Sequence, residues 1–197
     1  MQTEIEVKFL AVDHEQVRAN LKGAGGKLVQ PMRLMRRVIF DFPDRSLQKD
    51  NAYVRVRDEG DRVTLTYKHF PAADEIGGAR EIEFTIGDFE KANSFLETLG
   101  LENQSFQESK RETWTIDNVE VVLDEWPWLK PYIEIEGDSE DEVRAVAAKL
   151  GFDWSDAVFG DVVAAYKIEY DLPSKKIGQS LIRFGDPRPD WMVPKKP

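Results

Sequence analysis

The stretch EIEVK places Glu4, Glu6 and Lys8 at alternate positions, with Ile5 and Val7 between them. Period-two alternation is the mark of a strand, because successive side chains point to opposite faces of a sheet. One face of this strand therefore holds two carboxylates and an ammonium, a set able to bind a cation next to an anion. The same grammar recurs in YVRVR (53–57), VTLTYK (63–68), REIEFTI (80–86), RETWTI (111–116), VEVVLD (119–124) and YIEIEG (132–137). With RLMRRVIF (33–40) and the opening segment, eight strands are expected. One set of alternate positions is apolar, for example Ile5, Val7 and Phe9, Ile82, Phe84 and Ile86, or Ile133 and Ile135. The opposite set holds Glu4, Glu6, Lys8, Arg55, Arg57, Lys68, Glu81, Glu83, Arg111, Asp124, Glu134 and Glu136.

Elements of another kind must position these strands. Three segments read as helices that begin at a capping residue and stop at glycine: DHEQVRANLKGAGG from Asp13 with Gln16 three residues on, DFEKANSFLETLG from Asp88, and DSEDEVRAVAAKLG from Asp138 or Ser139. Each follows an acidic pair on a strand and closes on Leu and Gly, so the chain carries a weak threefold repeat of one strand-helix unit. DEGD (58–61) and DN (117–118) sit where hairpin turns belong. GDVVAAYKIEYDLP reads as a last helix bearing Tyr166 and Lys167, and residues 172–197 read as a loosely held tail after one domain spanning 1–171.

Composition narrows the function. At 197 residues one core-forming domain suffices. The net charge of -10 argues against a nucleic-acid-coating surface. The absence of cysteine excludes disulfides, thiolate metal sites and a cysteine nucleophile, and fits a reducing compartment. No run approaches the roughly 18 apolar residues of a membrane span, and no apolar leader precedes the first strand, so the chain reads as cytoplasmic with no membrane partner. His14 and His69 are the only histidines, and surface roles are expected for both.

The helices need an apolar surface to cover, and the Ile, Val and Phe face of the strands is the one available. The charged face then points inward. Eight antiparallel strands can close into a barrel whose bore admits one small ligand. Charges inside such a bore must be paired or bound to metal, so it would hold carboxylates for divalent cations and a basic set for an anion. The alternative is an open sheet whose charged face is wetted.

At EIEVK the chain resembles the ExExK signature of the CYTH superfamily, the triphosphate tunnel metalloenzymes. Further similarities follow in order over about residues 2 to 170: FDFPD (40–44), YVRVR, TLTYK, REIEF, VVLDEWP and YIEIEG. The resemblance implies an α+β fold with a closed eight-stranded antiparallel barrel and outer helices. It implies that Glu4, Glu6, Asp124, Glu134 and Glu136 bind Mg2+ or Mn2+, and that Lys8, Arg55, Arg57, Lys68, Arg111 and Lys167 hold the triphosphate. Glu81 and Glu83 would orient the basic residues, and Glu4, Glu6, Lys8 and Glu136 would carry the catalysis. The chain departs from the family pattern before FDFPD, where Met35, Arg37 and Ile39 replace polar residues and Tyr; Arg37 is either an inward phosphate contact or a surface residue. Trp126 and Trp128 either stack on a substrate ring or pack the connection around Pro127.

The expected activity is metal-dependent hydrolysis of a small-molecule triphosphate, inorganic or organic, by a monomer or homodimer. The alternatives are a class IV adenylyl cyclase forming cyclic AMP and pyrophosphate, and a non-catalytic polyphosphate or nucleotide sensor.

Overall fold

Strand alternation is realised at all eight expected places. In the computed structural model, which describes residues 1–71, 76, 78–173 and 176–195 without the side chains of Gln2 and Glu4, the chain begins with β1 (Gln2–Leu10), α1 (His14–Gly23), β2 (Lys27–Asp41) and α2 (Ser46–Lys49). Then come β3 (Ala52–Asp58), β4 (Val63–His69), β5 (Ala79–Ile86), α3 (Phe89–Thr98), β6 (Glu102–Ile116), β7 (Val119–Glu125) and β8 (Tyr132–Gly137). The chain finishes with α4 (Glu140–Lys149), α5 (Val162–Glu169) and the short pair β9 (Tyr170–Asp171) and β10 (Val193–Pro194).

The eight long strands form one curled antiparallel sheet in the order β1-β5-β4-β3-β2-β6-β7-β8. The pairing returns to β1 from both sides, but unevenly. Ile5–Leu10 of β1 pair with β8, whereas β5 meets β1 only where Gln2, Thr3 and Glu4 face Glu81, Arg80 and Ala79. The last seam, between β1 and β5, is short and at one level, so the curled wall is joined there along only part of its length.

Two strands are longer than their alternation suggested. β2 and β6 each run 15 residues, and their ladder shifts register between Leu28 and Gln30 and again between Gln30 and Arg33, across Pro31. Proline cannot donate to a ladder, so a bulge there lets the strand continue.

The helix signals hold. Asp13 accepts from the Glu15 and Gln16 amides, Asp88 from Lys91, and Ser139, rather than Asp138, from Glu142. The three helices also end alike, with Gly25, Gly100 and Gly151 left-handed at φ 86°, 92° and 88°, and the next amide reaching back to Leu21, Leu96 or Ala147. For α1 the stop is Gly25, not the Gly23 of the repeat.

Helices α1 and α4 press Val17, Leu21, Val143 and Val146 against Val7, Phe9, Val121, Leu123, Ile133 and Ile135 of β1, β7 and β8. Phe89 and Leu96 of α3 cover Val38, Phe40 and Val56 on β2 and β3. Each such side chain fully removed from water stabilises by about 1.5–3 kcal/mol. Coverage stops at β5, where Ile82 and Phe84 remain 51% and 54% exposed. The expectation that helices cover the whole apolar face therefore fails on this strand.

The segment after Pro173 is not loose. Ile182 and Met192 are completely buried and Ile177 nearly so, packed with Trp126, Tyr132, Tyr166 and Tyr170. The Ile182 amide donates to the Phe106 carbonyl, the Glu108 amide donates to the Ile182 carbonyl, and β10 pairs with β9. His14 is likewise buried, with Nε2 3.1 Å from the Tyr132 carbonyl oxygen, instead of lying at the surface.

Candidate active site

The curled sheet surrounds a cavity of about 370 Å3, and the charged alternate positions of its strands line it. Lys8 stands at the centre of the acidic wall. Its Nζ lies 2.7 Å from Glu6 and 3.2 Å from Glu134, with 1% of the side chain exposed. Cross-strand register explains this meeting, since Lys8 faces Glu134 and Glu6 faces Glu136 between β1 and β8. Burial alone would pull the ammonium down, but Glu134 and Glu6 outweigh it and hold Lys8 well above its ordinary value.

Arg111 closes the same wall. Its Nε donates to Asp124 at 2.8 Å, and one terminal nitrogen reaches Asp124 at 2.5 Å and Glu134 at 2.6 Å. Burial would raise Glu134, yet Lys8 and Arg111 hold it far below the usual carboxylate range. For Asp124, burial wins and pushes the carboxyl up.

The facing wall is basic. Arg55 donates to Glu83 at 3.0 Å and to Thr66 at 3.1 Å, and Arg57 lies 2.7 Å from Glu59 and 3.6 Å from Glu83. Glu83 thus pairs with both arginines. Burial, with Arg55 alongside, brings Arg57 down to about 10. Lys68 and Glu81 also line the cavity.

The remaining expected residues divide. Glu4 is outside the described side chains. Lys167 is exposed on α5 and does not reach the cavity; Asp161, Val162 and Val163, at the start of that helix, line it instead. Trp126 and Trp128 pack the connection: Tyr166 donates to the Pro127 carbonyl, Tyr170 donates to the Trp128 carbonyl, and Trp128 donates to that of Asp186. Trp126 also faces the cavity, with the Arg37 guanidinium 4.3 Å from its ring centroid. Arg37 accordingly points inward.

Glu59 went unnoticed in the sequence because it sits in the DEGD turn. It is 2% exposed and gathers Arg57, Arg62 and Arg33. Its parity with Arg55 and Arg57 was the available signal. Tyr132 shares the parity of Glu134 and Glu136. Gln107 lies in the part of β6 that showed no alternation.

Chemically the cavity suits a polyanion accompanied by a hard cation. Its lining carries eight basic and nine acidic side chains, so a multiply charged phosphate chain entering alone would leave a large negative excess. The carboxylate oxygens of Glu6, Glu134 and Glu136 are of the type that Mg2+ and Mn2+ prefer. Among the described residues no three potential ligands converge as a ready-made metal site. The physical reason is visible: Lys8 and Arg111 hold Glu6, Glu134 and Asp124 themselves. The donors fit a cation by chemistry, provided that these two bases turn toward the substrate.

The curled eight-stranded sheet with its charged lining is the fold of a known family. The CYTH domain model matches residues 2–155, and the chain belongs to that family, whose members are triphosphatases or adenylyl cyclases. A Methanocaldococcus jannaschii protein provisionally named an adenylate cyclase is 29% identical over 139 residues, 70% of this chain and 78% of that protein. A conserved hypothetical protein from Pyrococcus furiosus superposes with a TM-score of 0.64 and 25% identity, covering 78% of this chain and 94% of the other. A Hippeastrum protein, provisionally named an adenylyl cyclase and described as having a dominant triphosphatase activity, shares the fold at TM-score 0.55 and 14% identity, with 80% and 90% covered. Among the described residues no helix is long and apolar enough to cross a membrane.

Proposed function

We propose that this chain hydrolyses a small-molecule triphosphate, inorganic or organic, with Mg2+ or Mn2+, in the cytoplasm. The observation that carries this reading is the near balance of acids and bases around one cavity, with Lys8, Arg55, Arg57, Lys68 and Arg111 converging on it. Arginine supplies two-pronged contacts to phosphate oxygens, and lysine a compact charge. Phosphoryl transfer asks for positioning and charge neutralisation more than for covalent chemistry.

In this reading, Arg55 and Arg57 grip phosphate oxygens while Glu83 and Glu59 keep their planes fixed. Lys8 and Arg111 release their carboxylates and turn to the substrate. Glu4, Glu6, Asp124, Glu134 and Glu136 would hold the cation, which supplies charge neutralisation at the phosphate oxygens when bound. Water attacks a phosphorus atom and one phosphoanhydride bond breaks, so inorganic triphosphate yields pyrophosphate and orthophosphate, and an organic triphosphate yields its diphosphate with orthophosphate or its monophosphate with pyrophosphate. The chain walls exclude bulk water from the charges, which strengthens each contact.

A second reading is cyclisation of ATP, favoured by the name of the Methanocaldococcus relative. Product analysis separates the two. With tripolyphosphate the protein should release orthophosphate and pyrophosphate, and with ATP it should yield ADP or AMP. Cyclic AMP as the main product would overturn hydrolysis. Glu136→Gln should lower turnover by orders of magnitude while binding persists; Arg57→Ala should weaken binding too, by about 1.5–3 kcal/mol. A Glu136→Gln protein of wild-type rate would remove the carboxylate assignment, and binding without turnover of any triphosphate would leave a sensor.

A further inference from the structure

Arg37 differs from four other bases that line the cavity. On β2 it faces Arg57 of β3 on one side and Gln107 of β6 on the other. Lys8, Arg55, Arg57 and Arg111 each have a carboxylate within ion-pair distance. Among the described residues Arg37 has none. Its one hydrogen bond runs from Nε to the Gln107 side-chain oxygen at 2.8 Å. Both terminal nitrogens therefore lack a protein acceptor in a cavity that they help to line.

The group is nevertheless held in place. Its guanidinium lies over the Trp126 ring, which is itself buried and set edge-on to Tyr166 at 6.5 Å between centroids. Gln107 is buried and anchored by its own amide, which donates to Ser105 Oγ at 2.8 Å and to the Ile177 carbonyl at 3.3 Å. The C-terminal segment, through Ile177, thus braces the residue that aims Arg37. Arg37 is half-buried, and a charge partly withdrawn from water without a counter-charge is costly to the folded state. A rigid guanidinium with free donors, next to Arg57, is a cost that an arriving oxyanion cancels.

We propose that Arg37 is an additional phosphate-binding residue of this cavity, aimed by Gln107 and Trp126, whose counter-charge is a phosphate group of the ligand itself. This rests on the triphosphate reading and deepens it, because it extends the anion site beyond Arg55 and Arg57 toward Trp126 and adds a donor that the ExExK-type pattern does not supply. Burial, with Arg55 adding to it, lowers the Arg37 pKa, consistent with a cation that touches no counter-charge; Asp161 opposes the fall only from beyond ion-pair distance.

The test uses the full-length protein with Mg2+ and a non-hydrolysable methylene-bridged analogue of tripolyphosphate, read by titration calorimetry and by melting temperature. Arg37→Met keeps an unbranched apolar stem and removes the charge. It should bind the analogue ten- to a hundredfold more weakly and, without ligand, melt no lower than the wild type, because an uncompensated charge has gone. Unchanged affinity would overturn the proposal, leaving Arg37 as a bracket for Trp126. Should Arg37→Met melt lower, Arg37→Gln decides, since it keeps a polar side chain without the charge: weakened binding upholds the proposal, and wild-type affinity overturns it. Arg57→Ala serves as the reference. If it weakens binding and Arg37→Met does not, this inference fails alone; if the wild type does not bind the analogue, the triphosphate reading fails with it.

Discussion

Lys8 and Arg37 are both deep bases in one cavity, yet their surroundings are opposite. Lys8 sits between Glu6 and Glu134, and its proton is held more firmly than in water. Arg37 has an amide oxygen and an aromatic face, and its proton is held less firmly. The acidic wall of β1, β7 and β8 is therefore complete without ligand, whereas the wall around Arg37 is not. Charges that neutralise one another stabilise the fold at the expense of readiness to bind. A charge left without its partner does the reverse.

The largest expected effect comes from breaking the complete wall. Glu134→Gln would leave Lys8 and Arg111 short of a shared counter-charge, and removing one member of a buried ion pair typically costs about 3–5 kcal/mol. Urea unfolding measures this, and a loss below about 1 kcal/mol would mean that the acidic wall is no better compensated than the basic one.

A pH titration sharpens the same contrast. The folded Glu134 lies below its ordinary value of 4.5, so its stabilisation is fully present above that pH and drains away as the pH falls. The folded Lys8 lies above its ordinary value of 10.5, so its contribution is present below that pH and is lost as the pH rises past it. A tenfold change in proton affinity between folded and unfolded chain corresponds to about 1.4 kcal/mol, enough to move a melting curve. The contribution of these two groups to the melting temperature should therefore be level between pH 4.5 and 10.5 and fall on the acid side, where the raised Asp124 works against the fall, and Glu134→Gln should flatten it. An equal acid slope in wild type and variant would assign the loss to other carboxylates.

The smallest effect belongs to the basic wall. Thr66 donates to Glu83 at 2.6 Å and accepts from Arg55 at 3.1 Å. Thr66→Val removes both bonds but leaves Arg55 and Glu83 paired, so about 1.5–3 kcal/mol of stability should be lost, the range for hydrogen bonds to charged groups. A loss as large as that of Glu134→Gln would show that Thr66, not the ion pairs, organises this wall.

Much of this was legible in the chain. Alternation marked the eight strands and placed Glu6, Lys8, Arg55, Arg57, Lys68, Glu81, Glu83, Arg111, Glu134 and Glu136 on one lining, because a pleat admits no other arrangement of positions two apart. Capping residues marked α1, α3 and α4 for an equally local reason. The stretch 102–110 could not be read, because Glu102, Asn103, Gln104, Ser105, Gln107, Glu108 and Ser109 offer no apolar alternation. Its strand character depends on pairing with β2. The C-terminal segment was misread because Ile177, Ile182 and Met192 fall at no regular period and are buried only by distant partners.

Sequence by itself thus determined which side chains share a face, since that follows from backbone periodicity one residue at a time. Tertiary structure alone decided which acid meets which base, because register across β1, β8, β7 and β6 brings together residues more than a hundred positions apart, as it does Lys8 and Glu134. It also decided the fate of three similar-looking bases. Arg111 found two carboxylates, Lys167 found solvent, and Arg37 found Trp126 and Gln107 with no counter-charge among the described residues, a difference set by where each element lies in the curled sheet.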